Sequence, residues 1–185
     1  TLGSLVNNIK IQGFRFQNIA AGAAAVITDG NSGSPGNNIA IRSNSFTAIG
    51  KPAVYTSNNL GTTSNWLITD NKIDGVTGAN NSGLWLLGLS NGTITNNVIK
   101  NTAYAGMILD LLKSVTVEGN SISDTPRKGI QVAHSPNSGV AIRNNTITRT
   151  NTSKAPDEGA ITIYPDVTNI VVEHNSLTGN FQGFT

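Results

Sequence analysis

Among the side chains able to move protons in the second half of the chain, four fall at similar places on successive repeats: Asp110, His134, Tyr164 and Asp166. An imidazole, a phenol and carboxylates are the groups a general acid–base site needs. In that scheme His134 is the base, Tyr164 the acid or second base, and Asp110 or Asp166 orients the imidazole. Lys113, Arg127 and Lys128 stand among them and are the candidates to neutralise an acidic group on a ligand. His134 also sits in Ala-His-Ser-Pro, a turn-forming run that gives it a purely conformational alternative.

What positions these residues is a repeat. The phrase apolar, any, apolar, two residues, Asn, any, apolar recurs as IAIRSNSF (39–46), ITDNKI (68–73), ITNNVI (94–99) and VTVEGNSI (115–122). It continues as VAIRNNTI (140–147) and IVVEHNSL (170–177). An earlier copy, IKIQGFRF (9–16), has Phe14 in place of Asn. The Asn column is Asn44, Asn71, Asn97, Asn120, Asn145 and Asn175, with spacings of 23 to 30 residues. A second phrase, small-apolar-any-apolar, follows most copies: AVIT (25–28), AVYT (53–56), GLWL (83–86), GMIL (106–109), GIQV (129–132) and AITI (160–163). A shorter GFT closes the chain at 183–185.

Each repeat holds three short period-2 segments and no stretch of helix length, which reads as strands. Such a repeat is one coil of an all-β, right-handed, single-stranded parallel β-helix, here of about seven coils with three short strands per coil. Equivalent residues stack about 4.8 Å apart. The expected inward columns run through Ile41, Ile68, Ile94, Val117 and Ile142, through Phe46, Ile73, Ile99, Ile122 and Ile147, and through Val54, Leu84, Met107, Ile130 and Ile161. Gly92 interrupts another inward column, and its neighbours are expected to fill the space. The Asn column is expected to be structural: Asn tolerates the left-handed bend, and its amide both donates and accepts.

Composition narrows the class. Across 185 residues there are 25 Asn, 21 Thr, 20 Gly and 16 Ser, with 12% charged residues. That is poor in helix formers and too low in charge and proline for a disordered chain. A net charge of +2 is spread along the chain, so no nucleic-acid surface is marked. No apolar run approaches a membrane span. Zero cysteines remove disulfides and thiolate chemistry and fit an extracellular or bacterial surface location, although many cytosolic proteins lack cysteine as well. The chain is expected to form a single domain over 1–185, as a piece of a longer β-helix whose further coils or domains would be partners.

The Gly-Ile-x-Val and Ile-x-x-Asn-x-Ile phrases resemble the right-handed parallel β-helix repeat of pectate lyases, mannuronan C5-epimerases, NosD-like proteins and phage tailspikes. The resemblance covers nearly the whole chain and is specific for architecture, whereas one fold hosts many functions. It implies a polysaccharide partner, a groove along one outer wall, and secretion or cell-surface display. On that wall the outward positions of the small-apolar-any-apolar phrase are Ile27, Tyr55, Trp85, Ile108, Gln131 and Thr162. Trp85 and Tyr55 are candidate platforms for sugar faces, with Gln131 beside them.

In mannuronan C5-epimerases and some alginate lyases a Tyr, a His and two Asp abstract the proton α to a uronate carboxylate, which implies the same roles for Tyr164, His134, Asp110 and Asp166. The chain departs from those epimerases in lacking their compact Asp-Pro-His-Glu motif; only Tyr164-Pro165-Asp166 remains, far from His134. No cofactor is expected. A calcium site lacks the acidic cluster of a calcium-dependent pectate lyase, and the paired aspartates of a pectin glycosidase are missing. Two function classes stay open. One is a secreted polysaccharide lyase or C5-epimerase acting on a uronate-containing glycan. The other is a non-catalytic surface or fibre protein: an adhesin, a shaft or a glycan-binding module. Ice binding needs a regular Thr array that unequal coils do not supply. Glu118, Arg143 and Glu173 read as a surface charge ladder, and Asp157 and Glu158 as part of a loop inserted before the third wall of coil six.

Overall fold

The computed structural model describes residues 7–20, 24–28, 36–56, 63–134, 137–165 and 167–185. Every strand ladder among them is parallel and joins a strand to its equivalent one coil away. The first wall stacks Lys10–Gln12, Ala40–Arg42, Leu67–Thr69, Thr93–Thr95, Thr116–Glu118, Val140–Arg143 and Ile170–Glu173. The second stacks Arg15–Ile19, Ser45–Ile49, Lys72–Val76, Val98–Thr102, Ser121–Thr125, Thr146–Thr150 and Ser176–Thr178. The third has six strands: Val26–Thr28, Val54–Thr56, Leu84–Leu87, Met107–Asp110, Ile130–Ala133 and Ile161–Ile163. The GFT phrase supplies only a bridge from Phe184 to Ile161, so six coils are complete and the seventh has two walls. A two-stranded ladder of Thr63–Ser64 and Leu89–Ser90 lines one corner.

Alternation within each strand sends one set of side chains into a shared core. Ile41, Ile68, Ile94, Val117 and Ile142 are fully buried, as are Phe46, Ile73, Ile99, Ile122 and Ile147. The third wall closes the core with Val54, Leu84, Met107, Ile130 and Ile161. At Gly92 the expected filling is seen: a Cβ there would lie 2.6 Å from Leu89 Cδ2. The third-wall phrase begins with a small residue because successive coils approach closely. A Cβ on Gly106 would come 2.5 Å from Ile122 Cγ2 and 2.6 Å from the Gly129 carbonyl oxygen.

The Asn column forms a directional ladder. Asn97 donates its backbone N–H and its side-chain Nδ2–H to Asn120 Oδ1 at 2.9 and 3.0 Å. Asn120 repeats both bonds to Asn145 Oδ1, and Asn145 repeats them to Asn175 Oδ1. Asn44 and Asn71 do the same one coil at a time, and Phe14 donates its N–H to Asn44 Oδ1 at 3.0 Å. One expectation is corrected: the left-handed residue is not the ladder Asn but the one before it. Gly13, Ser43, Asp70, Asn96, Gly119, Asn144 and His174 carry the positive φ. This backbone bend lets the following amide turn inward, where its hydrogen bonds satisfy otherwise stranded backbone groups.

Candidate functional site

The third wall presents its outer face in register. Tyr55, Trp85, Ile108, Gln131 and Thr162 follow one another, one per coil. Beside them run Leu87, Asp110 and Ala133, and Tyr164 continues past the strand end with its N–H on the Val132 carbonyl at 3.0 Å. Contrary to the open surface expected from alternation, Ile108, Gln131 and Thr162 are buried. Ile108 and Gln131 floor a groove of about 330 Å³ lined also by Asn80, Trp85, Tyr104, Asp110 and His134. One rim is the turn carrying Asn80, held by Asn81, whose Nδ2 contacts the carbonyls of Gly50, Gly78 and Ala79. Tyr55 meets the Trp85 ring edge-on, with centroids 5.7 Å apart. That contact braces Trp85, whose side chain is half-buried.

Asp110 and His134 come together here. Asp110 ends its strand opposite Ala133, which brings the next residue, His134, alongside it. His134 has φ 59°, and Asn137 Nδ2 bonds the Ala133 and His134 carbonyls, so the turn fixes the ring's origin. Nδ1 lies 3.3 Å from Asp110 Oδ1, a side chain 72% exposed against one 5% exposed. No donor is aligned for a hydrogen bond to this buried Oδ1 among the described residues, so the contact is ionic in distance only. Burial pushes the Asp110 carboxyl's pKa up; His134 and then Trp85 pull it back only in part. The arrangement orients an exposed imidazole from beneath, with Nε2 left for a ligand.

A second cluster adjoins the groove through Tyr104. Lys128 Nζ is buried, 2.8 Å from Glu158 Oε1 and 3.2 Å from the Tyr104 hydroxyl. The Tyr104 and Tyr164 ring centroids lie 5.2 and 5.6 Å from it. Burial lowers the Lys128 pKa, but Glu158, Tyr104 and Tyr164 together outweigh it and leave it raised. Arg127 Nε lies 2.9 Å from Glu158 Oε2, an ion-pair contact without hydrogen-bond alignment. Glu158 is supplied by the loop 151–159, which Asn151 ties together through bonds to Ala155 and to the Glu158 carbonyl.

Of the residues singled out in the sequence, the structure gathers Trp85, Asp110, Gln131 and His134 in one groove, with Tyr55 behind Trp85. Tyr164 lies over Lys128 and is not part of that lining. Arg127 and Lys128 share Glu158, while Lys113 is exposed on the corner ladder, bridged to Ser90 and Ser138. Asp166 lies outside the described residues. Glu158, on the inserted loop, is a buried counter-ion, and Tyr104 and Asn80 join the site from turns. Their positions follow no strand periodicity, although the longer spacing from Asn145 to Asn175 does mark the insertion that carries Glu158. The expected charge ladder is present: Glu118, Arg143 and Glu173 are in register, with Arg143 Nη2 3.1 Å from Glu118 Oε2.

Parallel walls around one core, with polar chemistry on an outer face, define a β-solenoid with a lateral groove. Residues 76–185 match the family described as the right handed beta helix region, and the chain belongs to that family. No curated protein and no solved structure matches the chain.

Proposed function

We propose that this protein works outside the cell, binds a polysaccharide along the third wall, and moves a proton on a uronate unit with His134, as a lyase or C5-epimerase. The observation carrying the reading is the exposed imidazole of His134 held over the buried carboxylate of Asp110, in the same groove as Trp85. Trp85, braced by Tyr55, offers an apolar ring for a sugar face, and Gln131 and Asn80 offer amides for hydroxyls. His134 takes the C5 proton through Nε2 while Asp110 stabilises the imidazolium. Elimination then breaks the C4–O bond and forms the C4=C5 double bond, the departing oxygen taking a proton from the imidazolium or water. Epimerisation instead takes a proton from water on the opposite face.

A second reading, glycan binding without chemistry, is favoured by one observation: Arg127 and Lys128 are both paired with Glu158, and no free cation lines the groove among the described residues. Incubation with alginate and pectate separates the two. Absorbance from an unsaturated product, or C5 inversion by NMR, abolished in His134→Ala, supports catalysis. Trp85-dependent binding with neither product supports the binding module.

A further inference from the structure

The Arg127–Lys128 pair already holds a carboxylate. Glu158 sets one oxygen 2.8 Å from an ammonium, in a charge-assisted hydrogen bond, and the other 2.9 Å from a guanidinium nitrogen at ion-pair distance, so one carboxylate lies between two cations. The grip is contiguous with the groove, because Tyr104 accepts from Lys128 Nζ at 3.2 Å and also lines the groove beside Asp110 and His134. We infer that Glu158 is an internal stand-in for the carboxylate of an acidic sugar unit: it occupies an anion subsite that a polyuronate takes over when it binds. This rests on the glycan reading of the groove, and it supplies the cation that reading otherwise lacks.

Several features fit a replaceable carboxylate. Glu158 comes from an insertion of one coil, not from the repeat itself. The loop is anchored through Asn151 to Ala155 and through the Ser153 N–H to the Pro126 carbonyl, so its backbone stays tied while a side chain swings. Arg127 remains 39% exposed beside the 1% exposed Lys128, which gives an incoming anion a first point of contact. A carboxylate from solvent would keep both cations paired, so the exchange strands no buried charge.

The test is calorimetric titration of wild type and Glu158→Gln with oligogalacturonate and oligomannuronate, using neutral cello-oligosaccharide as the control. Glu158→Gln should bind the acidic oligosaccharides about tenfold more tightly, with a steeper salt dependence and unchanged affinity for the neutral one. Lys128→Met/Glu158→Gln should lose that gain. Unchanged or weaker acidic binding in folded Glu158→Gln overturns the inference, since a purely structural ion pair predicts no gain. Should Glu158→Gln fail to fold, carbon-13 NMR of the wild-type Glu158 carboxylate decides: its signal should shift with the acidic oligosaccharide and not with the neutral one. Equal behaviour with both overturns the inference. If neither oligosaccharide binds wild type or variant, the groove reading fails with it. If both bind in a Trp85-dependent manner and Glu158→Gln changes nothing, only the stand-in fails.

Discussion

Asp110 and His134 sit 3.3 Å apart yet face opposite environments, one carboxylate under the wall's surface and one imidazole in solvent. A buried carboxylate with one oxygen, Oδ1, lacking an aligned donor costs folding energy, and such a cost persists where a site needs it.

Asp110→Asn tests that cost. A carboxyl whose pKa is higher folded than unfolded binds its proton more tightly in the folded state. Its penalty is therefore fully present above the raised folded value and vanishes below the unfolded value, near the reference 3.8. Asp110→Asn should melt above wild type at about pH 7 to 8, and the gap should close as pH falls to about 3. A lower melting temperature at neutral pH would show that the ionised carboxylate stabilises the wall.

Lys128 and Glu158 should behave as one unit. Lys128→Met leaves Glu158 beneath the surface with only Arg127 as a cationic partner and should cost up to about 3 to 5 kcal/mol in urea denaturation. Lys128→Met/Glu158→Gln should recover most of this loss, because the only charge left without its partner, Arg127, is partly exposed to solvent. Equal costs for single and double variants would mean that the pair is not coupled.

The Asn ladder gives a third expectation. Asn120→Ala removes the acceptor for two donors of Asn97 and should lower stability by about 1 to 3 kcal/mol per orphaned buried group. Glycan binding should stay unchanged in the folded variant, measured by the same titration as for wild type. Lost binding with native stability would make the column a ligand site.

Close approach of the coils is tested at Gly106. The added methyl of Gly106→Ala meets the Gly129 carbonyl, which has little freedom to retreat. A loss of about 1 to 3 kcal/mol is expected. Wild-type stability would show that the coils can separate locally at no cost.

The architecture was legible because a solenoid writes its register into the sequence. Ile41, Ile68 and Ile94 recur in matching places, and the strands pair through those positions. The Asn column was legible as a bond-forming column, but its bend was assigned one residue late. The periodicity marks a corner without saying which of two neighbours, Gly119 or Asn120, takes the left-handed backbone. The site was partly legible, since Trp85, Asp110 and Gln131 lie on regular strands and His134 directly follows one. Tyr104, Asn80 and Glu158 stand on turns and an insertion, where spacing carries no register, and so does the pairing that buries Lys128.

The ladder's direction bears on how the rod responds to force. Each Asn Oδ1 takes its two protons from the coil before it, and Asn175 Nδ2 still holds the Ile142 and Glu173 carbonyls. If the coil of Asn175 is pulled away, Asn145 Nδ2 keeps the matching pair, the Val117 and Arg143 carbonyls. At this column the coil left behind keeps the same two bonds as the coil removed. Stripping from the other end instead bares an Oδ1 at every step. Drawn from its C-terminal side, the Asn column should therefore release one coil at a time. Each release should lengthen the tether by roughly 80 to 100 Å, at about 3.3 to 3.6 Å per residue.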